Sequence, residues 1–402
     1  MSNNTASHSL NGKDVNEVDK IAIENFRAYL RIPSVHPNVD YEPCVAFFEK
    51  LAREIGLTYN IYRVHPLKPQ LVLTWIGTNP KLPSIMLNSH MDVVPVFEEF
   101  WAHKPFGAEV DENGNIYGRG SQDAKSFGIQ YLEAIRRLKL VGFDPKRTIN
   151  VTFVTDEEIG GTLGTSAFVQ TNEFKMLNVG FAIDEGGVSE DEFITVHHEE
   201  KIIWPITIKC IGQSGHGSLL LANTAGEKVQ YLLNQFYKFR KKQRTIHKSR
   251  NTSVNLTVIS GGVQTNVIPP EFNISIDTRV PVENFRDFEA TVKKWCEEAG
   301  NGVSIENFVK DYASITKIDE SNPFWVAVKD ASDKMNIKLR VSIPPANTDA
   351  RYLRMAGIPT MGFSPNIHTT NRIHSHNEYL SIKSFLNGIV IYEHIIRALS
   401  SV

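Results

Sequence analysis

Five short segments of the chain carry histidine or carboxylate side chains of the kind that bind metal ions. They are His90-Met91-Asp92, residues 118–123 (GRGSQD), residues 156–161 (DEEIGG), residues 184–187 (DEGG), and a late loop with His368, His374 and His376. Imidazole nitrogens and carboxylate oxygens are ligands of zinc, and a further carboxylate often orients a metal-bound histidine. Each segment alone also fits an ordinary surface loop, so only their combination indicates a site.

The run Asp156-Glu157-Glu158 places three like charges next to one another. Burying such a run is costly unless a cation compensates it. A solvated acidic loop is the alternative, which is weakened because the run directly follows an apolar, strand-like segment, residues 148–154 (TINVTFV). At a turn, one glutamate can face a substrate as general base while the other binds a metal ion.

Together the segments supply two histidines and three carboxylates as ligands, with one glutamate to spare. This donor set is typical of a two-metal centre in which Asp123 bridges and zinc is the natural ion. Two metal ions about 3.5–4 Å apart can activate a shared water molecule and polarise a carbonyl group. The chain has no Gly-x-Ser-x-Gly nucleophile elbow, and no comparable Ser-His-Asp or Cys-His set competes with this interpretation.

Two further residues are candidates for contact with a substrate. Arg279 ends a strand-like segment, where it can pair with a substrate carboxylate or form an ordinary surface salt bridge. His216 lies between Gly215 and Gly217, so it is either presented on a loop to donate to an oxyanion or is a plain turn residue. The residue types alone leave both alternatives open.

The metal-binding segments follow predicted strands. Apolar runs predict buried strands over residues 70–76, 84–87, 148–154 and 179–183, and helical patterns occur over residues 21–30, 45–57 and 129–138. Alternating strands and helices indicate an α/β layer with a largely parallel sheet. Ligands of such sheets bind beyond the carboxyl ends of the strands, where three of the acidic or histidine segments lie.

The pattern changes after about residue 200. Strands are predicted over residues 202–211, 254–259 and 272–280, and helices over residues 225–242 and 285–298, a mixture that suggests a small α+β domain. Pro205 favours an edge strand or a bulge. The final segment predicts a strand over residues 359–363, a loop over 364–377 and a helix over 381–399.

The composition is that of an ordinary folded protein. The 402 residues include 43 Lys and Arg against 45 Asp and Glu, a net charge of −2, so no global attraction to nucleic acid or to an anionic membrane follows. Three scattered cysteines are too few for a disulfide framework, and no secretory signal or membrane-spanning stretch is visible. We therefore expect a cytoplasmic protein with neither nucleic-acid nor membrane partners.

Taken in order, these segments resemble the dinuclear-zinc peptidases and amidohydrolases, a family that includes aminoacylases, dipeptidases and glutamate carboxypeptidase. The resemblance runs from about residue 20 to about residue 399 and rests on residues 88–96 (NSHMDVVPV), 122–123, 156–161, 184–186, 253–257 (SVNLT), 266–269 (NVIP) and 362–365 (GFSP). It implies an α/β zinc-dependent exopeptidase-like catalytic domain with a mostly parallel central sheet. Residues 1–199 and 313–402 would form this domain, interrupted by an α+β, ferredoxin-like dimerisation or lid domain over residues 200–312.

The resemblance also implies a role for each candidate. One of two Zn²⁺ ions per subunit would be held by His90 and Glu185, the other by Glu158 and His374, and Asp123 would bridge them. Asp92 would orient His90, Glu157 would be the general base, and His216 would reach the partner subunit's active site and stabilise the oxyanion. Substrate or lid contacts would come from Arg279, Arg351 and Asn266.

This sequence departs from the family pattern at three points. Ala124 follows Asp123 where the family often has Met, and Ala350 follows Asp349 where Asn is common among aminoacylases. The late loop offers His376 as an alternative ligand to His374, which is chosen because its four-residue spacing to Glu378 fits the family. These departures concern fine specificity more than chemistry.

The resemblance implies hydrolysis of N-acyl-L-amino acids to a carboxylate and a free L-amino acid, by metal-activated water in a homodimer. A dipeptidase or carboxypeptidase of the same family is the first alternative, since it differs only in how the substrate amine is recognised. A non-catalytic binding protein of this fold is the second. The complete ligand set argues against it, because a protein without the chemistry would have no reason to keep all the ligands and the base.

Overall fold

The computed structural model describes residues 15–309 and 312–402, and within these ranges it contains ten α-helices and seventeen β-strands. The helices are α1 (Val15–Leu30), α2 (Glu42–Ile55), α3 (Lys125–Leu140), α4 (Thr165–Phe168), α5 (Asn172–Met176), α6 (Ala225–Gln243), α7 (Phe285–Glu298), α8 (Pro323–Lys334), α9 (Ala350–Met355) and α10 (Ile382–Ser401). The strands are β1 (Thr58–His65), β2 (Lys68–Trp75), β3 (Ser84–His90), β4 (Glu109–Val110), β5 (Asn115–Tyr117), β6 (Ile149–Val154), β7 (Val179–Asp184), β8 (Phe193–His197), β9 (Ile202–Ile211), β10 (Gly215–His216), β11 (Ser253–Gly261), β12 (Val267–Ile268), β13 (Glu271–Val280), β14 (Val303–Ile305), β15 (Lys338–Ser342), β16 (Thr360–Phe363) and β17 (Tyr379–Ser381).

The described residues divide into two compact units. Unit 1 consists of the described residues up to His198 together with Thr316–Ser342 and Thr348–Val402. Unit 2 consists of Glu199–Ile315 and the short segment Ile343–Asn347. The predicted boundaries at residues 199/200 and 312/313 lie within a few residues of these divisions. The segment 343–347 was assigned from the sequence to the catalytic domain, whereas by its contacts it belongs to unit 2.

Unit 1 is built on an eight-stranded sheet in the order β1-β2-β6-β3-β7-β16-β8-β15. The pairs β6–β3, β3–β7, β7–β16 and β8–β15 are parallel, which makes the sheet mostly parallel at its centre. Every residue of β3 and β6 is buried, as expected for strands covered on both faces. The main core of this unit includes Phe48 and Phe153, whose rings stack with centroids 3.5 Å apart.

Helix α3 packs against β3, the strand that ends at His90. All but three of its sixteen residues are buried, and it packs against α1, α10 and β3. The helix begins with the buried polar residues Lys125 and Ser126, which interrupt the apolar pattern, so the sequence revealed only its central part, residues 129–138. Only Ala124 separates the candidate ligand Asp123 from Lys125, the first residue of α3, so the start of this helix helps to position that carboxylate.

Unit 2 has the ferredoxin-like topology expected of it. Its four-stranded antiparallel sheet has the order β11-β13-β9-β14, and the chain runs β9, α6, β11, β13, α7, β14. The unit has a core of its own around Trp204, Leu232, Ile274 and Phe288. None of the helices in the described part of the chain is both long and apolar enough to span a lipid bilayer.

The expectation that Pro205 marks an edge strand or a bulge was wrong for the strand as a whole. Strand β9 is internal, because β13 pairs with it on one side and β14 on the other. Strand β14, however, covers only Ile208–Cys210 of β9. Pro205 therefore lies on the part of an internal strand that has one ladder, where the missing N–H group costs little.

Candidate metal centre and active site

Three neighbouring parallel strands deliver candidate ligands to one edge of the sheet of unit 1. Strand β3 ends at His90, β7 is followed at once by Glu185, and the 3₁₀ turn Glu157–Ile159 comes three residues after β6. Since the three strands lie in the order β6-β3-β7 and run in the same direction, their carboxyl ends meet. The carboxyl end of a parallel sheet is where such folds bind ligands.

Asp123 stands between two groups of ligands and turns one oxygen to each. Its Oδ1 atom lies 3.0 Å from His90 Nε2, and its Oδ2 atom lies 3.2 Å from His374 Nε2. Glu185 Oε2 is 3.2 Å from the same His90 nitrogen, and Glu158 Oε2 is 3.1 Å from the same His374 nitrogen. The result is two three-residue groups that share one carboxylate.

Each group could hold one metal ion. In each, the offered nitrogen and oxygen atoms lie within 4.8 Å of one another. The second oxygen of Glu158, Oε1, is buried and has no hydrogen-bond partner among the described residues, as expected of an atom meant for a ligand. A nitrogen and carboxylate donor set with one shared carboxylate fits two zinc ions.

The charges of the two groups are strongly perturbed. Burial and the neighbouring Glu185 raise the pKa of Glu157 well above its usual value, and burial together with Asp123 raises the pKa of Glu158. Hydrogen bonds to Asp123 and Glu158 raise the pKa of His374 to about 10. Burial and neighbouring negative charge favour the protonated forms of Glu157 and Glu158, and the neighbouring carboxylates favour the protonated form of His374. Divalent cations would offset the negative charge.

Asp92, predicted to orient His90, makes most of its contacts elsewhere. His90 Nδ1 donates to the backbone carbonyl of Asp92 at 2.8 Å, and its distance to the Asp92 carboxylate is 3.7 Å. The carboxylate itself accepts hydrogen bonds from the backbone N–H groups of Glu157 and Glu158, at 3.2 and 3.0 Å, and from His36 Nε2 at 2.8 Å. Asp92 thus fixes the ring of His90 through its backbone. Through its side chain it fixes the turn of residues 156–161, which we call the glutamate turn.

The glutamate turn is shaped by backbone conformations that few residues adopt. Asp156 has φ +62° and Gly161 has φ +63°, both in the left-handed region. In a 3₁₀ turn successive side chains point about a third of a revolution apart, so Glu157 and Glu158 diverge. This divergence lets Glu158 contact His374 while Glu157 remains free for another task.

Four residues that the sequence did not single out lie next to this turn or to Asp92. They are His36, Tyr41, Lys68 and Asp349. Tyr41 and Lys68 donate to the Asp156 carboxylate at 2.8 and 2.7 Å. Asp349 lies on the other side, where a Cβ atom added to Gly161 would come within 2.4 Å of its Oδ1 atom. Because these partners are distant in sequence from the turn, no local pattern pointed to them.

Arg351 also belongs to the support of this turn. Its Nη2 atom donates to the carbonyl of Gly160 at 2.9 Å, and its guanidinium lies 4.6 Å from the ring centre of Tyr352. Tyr352 donates to the same carbonyl at 2.6 Å. The predicted role of Arg351 in substrate binding therefore stays a prediction, while its contact with the turn is a feature of the structure.

Of the three histidines of the late loop, His374 alone joins a ligand group in the described part of the chain. The ring of His376 instead packs against Phe97 and Phe100, with centroids 6.4 and 5.3 Å away. The backbone of His368 donates to the carbonyl of Asp191, so this residue is held away from either group. The geometry favours His374 over His376, the alternative that the sequence left open.

In unit 2, β10 pairs with β12 and thereby brings two of the predicted residues together. Gly217 follows the exposed His216 in the chain, and its N–H donates to the carbonyl of Asn266 at 2.7 Å. The backbone N–H of Ser218 donates to His216 Nδ1 at 3.2 Å. An accepting Nδ1 leaves the proton of a neutral ring on Nε2, which can then donate.

Arg279 forms the salt bridge that was the alternative to substrate binding. Its Nε and Nη2 atoms both donate to Asp277 at 2.9 Å. Both residues lie on β13, and the side chain of each is about one third exposed. A substrate carboxylate would therefore have to share or replace Asp277.

Comparison with known proteins agrees with the fold. Residues 86–398 match the model of peptidase family M20/M25/M40. Aminoacylase-1 from Sus scrofa is 45% identical over 386 residues, which cover 94% of this chain and 95% of that protein. Aminopeptidase PepT from Bacillus cereus has a TM-score of 0.73 at 18% identity, covering 95% and 98% of the two chains.

A dinuclear metal-binding peptidase of the M20 family from Bacillus subtilis has a TM-score of 0.69 at 16% identity, covering 96% of this chain and 100% of the other. At such identities the two solved structures bear on the fold alone. They confirm the predicted fold class, a mostly parallel central sheet combined with a separate domain.

Proposed function

This chain belongs to peptidase family M20/M25/M40, and we propose that it hydrolyses N-acyl-L-amino acids to a carboxylate and a free L-amino acid. It is an amidohydrolase by its family and by its 45% identity to a protein named aminoacylase-1, almost end to end. That identity supports the substrate class. The family also contains peptidases, so the substrate amine has to be tested directly.

The observation that carries the proposal is the position of Asp123 between two ligand groups. We infer that His90, Asp123 and Glu185 hold one Zn²⁺ and that Asp123, Glu158 and His374 hold a second. Two such ions supply Lewis-acid chemistry: they lower the pKa of a water molecule and polarise a carbonyl group.

Glu157 is the residue of this chain that moves protons. Its backbone is fixed by Asp92, and its carboxylate lies near Glu185 and Asp123 without being a member of either ligand group. It takes a proton from the attacking water as the oxygen–carbon bond forms at the acyl carbonyl. It then gives this proton to the leaving nitrogen as the carbon–nitrogen bond breaks, so that acid and free amine result.

Replacing Glu157 tests this role. We expect Glu157→Gln to lower kcat for N-acetyl-methionine by about 10²–10⁴-fold or more, because the amide cannot accept the proton. Its zinc content should equal that of the unmodified enzyme, as measured by atomic emission. A variant with normal zinc and normal turnover would exclude Glu157 as the base, and an unmodified enzyme without zinc or amidase activity would point to a binding protein.

Four further residues have proposed roles in binding substrate or stabilising the oxyanion. The partner subunit's His216 donates Nε2–H to the oxyanion, which the bond from Ser218 to Nδ1 supports. Arg279, Asn266 and Arg351 are proposed contacts for the substrate carboxylate or for the lid. This assignment requires a homodimer, supported by the exposed apolar side chains of Val258 and Ile259 on the edge strand β11.

A cytoplasmic setting is also a proposal. The cysteines Cys44, Cys210 and Cys296 are all buried free thiols, a state that suits a reducing compartment.

A substrate panel separates the proposed activity from that of a dipeptidase. N-acetyl-methionine and the unblocked dipeptide Ala-Met differ at the amino end, where a free substrate amine needs an acidic partner. We expect a higher kcat/KM for the acylated compound. A preference for the dipeptide would assign the chain to the peptidases of its family.

A further inference from the structure

The carboxylate of Glu378 is completely buried beside the metal ligands but belongs to neither ligand group. It accepts a hydrogen bond from Arg119 Nη1 at 2.6 Å. It also accepts from the backbone N–H groups of Gly120 and Gln122, at 3.2 and 2.7 Å. Both of its oxygens are therefore bound to the segment that leads directly into Asp123.

The same segment reaches back to the loop that carries His374. Arg119 Nη2 donates to the carbonyl of His374 at 3.3 Å. Gln122 Nε2 donates to the carbonyls of Thr370 and Tyr379 at 3.0 and 2.7 Å, and its Oε1 accepts from the N–H of Arg372 at 2.9 Å. We call Arg119, Gln122 and Glu378 the clamp, since their side chains join two segments about 250 residues apart in the chain.

The two ligand groups differ in how much they depend on such a connection. His90 ends a buried strand, and its side chain is only 1% exposed. His374 lies on a loop with φ +61°, and its side chain is 49% exposed. No sheet ladder includes His374, and among the hydrogen bonds that hold its loop, the one from Arg119 of the clamp goes directly to the carbonyl of His374.

We propose that the clamp is a positioning device for one of the two metal ions, the ion held by Asp123, Glu158 and His374. The inference rests on the proposed two-zinc function and adds an unequal dependence of the two ions on residues that do not touch them. Outer residues of this kind change metal affinity by orienting the ligands. Loosening the clamp should weaken the group of Asp123, Glu158 and His374 more than the group of His90, Asp123 and Glu185, because both contain Asp123 but only the former contains His374.

A purely structural ion pair is the competing explanation. Arg119 and Glu378 form a buried pair, and removing one partner of such a pair is destabilising anywhere in a protein. That explanation predicts a loss of stability with both metal affinities unchanged, or weakened together. The two explanations therefore differ in the ratio of the two dissociation constants.

The test is a Zn²⁺ titration against a competing chromophoric chelator, performed on the full-length protein. We expect two ions to bind the unmodified protein. Glu378→Gln should weaken the ion held by Asp123, Glu158 and His374, called the second ion, by about 10- to 100-fold, which is more than it weakens the other ion. Glu133→Gln is the matched control. Glu133 is also fully buried, and it pairs with Arg136 and Asn25 at 2.8 Å on the far flank of α3. Its loss should lower the melting temperature without changing either Zn²⁺ affinity.

Two further variants keep the test decisive if Glu378→Gln folds poorly. Gln122→Met removes the bonds to Thr370, Arg372 and Tyr379 without leaving a buried charge, and it should weaken the same ion. The double variant Arg119→Met/Glu378→Gln removes both charges; it should recover stability but not the affinity for the second ion.

Equal weakening of both ions, or unchanged affinities in Glu378→Gln and Gln122→Met, would overturn the inference. So would recovery of the second ion in the double variant. An unmodified protein that binds fewer than two Zn²⁺ ions would instead overturn the proposed function, and this inference would fail with it.

Discussion

The carboxylate of Asp92 shows what residue types can reveal and what they cannot. The His-x-Asp spacing predicted that the Asp92 carboxylate orients His90, but the nearer partner of His90 Nδ1 is the backbone carbonyl of Asp92. The sequence could not reveal that the carboxylate accepts from Glu157 and Glu158, because those donors lie 65 and 66 residues later. Asp92 is thus the point at which the first ligand strand controls the position of the proposed base.

We expect Asp92→Asn to lower kcat by about 10- to 100-fold, a typical cost of disturbing residues behind a metal site. An asparagine keeps one accepting oxygen but places an N–H₂ group against a backbone N–H, so one bond of the glutamate turn is lost. Steady-state kinetics with N-acetyl-methionine and zinc content would be measured together.

Asp111→Asn is the control for this change. Asp111 also accepts two backbone N–H bonds, from Asn113 and Asn115 at 3.0 and 2.8 Å, but in a turn that contributes no ligand. Its replacement should leave kcat unchanged. Equal losses in both variants would mean that the effect of Asp92 is general destabilisation and not control of Glu157.

At the scale of elements, the sequence predicted most of what positions the site. Apolar runs located β3, β6 and β7, whose parallel ends deliver His90, the glutamate turn and Glu185. What remained hidden was the pairing of elements far apart in the chain. Strand β17, for example, is three residues long and pairs with β5, and no local pattern marks it. The network around Glu378, between the same two segments, was invisible for the same reason.

The glutamate turn depends on the absence of a Cβ atom at Gly161. An alanine there would keep φ +63° and place its Cβ 2.4 Å from Asp349 Oδ1, so the turn or Asp349 must move. Moving a catalytic group by about 1 Å can cost about 10²-fold in rate. We expect a loss of that order in kcat/KM for Gly161→Ala.

Gly114→Ala separates this displacement from backbone strain. Gly114 has φ +78°, and a Cβ there would have nothing within 4 Å. Gly114→Ala should lose about 1–2 kcal/mol in the free energy of unfolding, the cost of a left-handed alanine, as measured by denaturant titration. Gly161→Ala should lose this and more, because its Cβ also clashes with Asp349. Only Gly161→Ala should lose activity. Full activity in Gly161→Ala would show that the turn can shift without moving Glu157.

At the scale of the molecule, the domain organisation followed from the ligands themselves. Candidate ligands at His90 and His374 had to meet, so one domain had to contain both ends of the described chain. The small segment 343–347 of unit 2 could not be foreseen, since its five residues carry no distinctive pattern. The two units have separate hydrophobic cores, so a change in one should leave the other folded.

A mixing experiment tests whether His216 acts between subunits. We expect the His216→Ala enzyme to be inactive because it lacks the oxyanion donor, and the Glu157→Gln enzyme to be inactive because it lacks the general base. If the partner subunit's His216 completes the site, a mixed dimer of the two variants contains one intact site, with Glu157 from one chain and His216 from the other. Random re-assortment makes about half of the dimers mixed, so activity should rise to about one quarter of the unmodified level.

The exposed position of His216 makes its replacement by alanine a mild change for the fold, so each variant should remain dimeric and bind zinc. Sedimentation before and after mixing would verify the dimer, and the recovered activity would be measured with N-acetyl-methionine. If His216 served the site of its own chain, every site in the mixed dimer would lack one residue, and mixing would restore nothing. Recovery near one quarter therefore requires both a dimer and a shared active site.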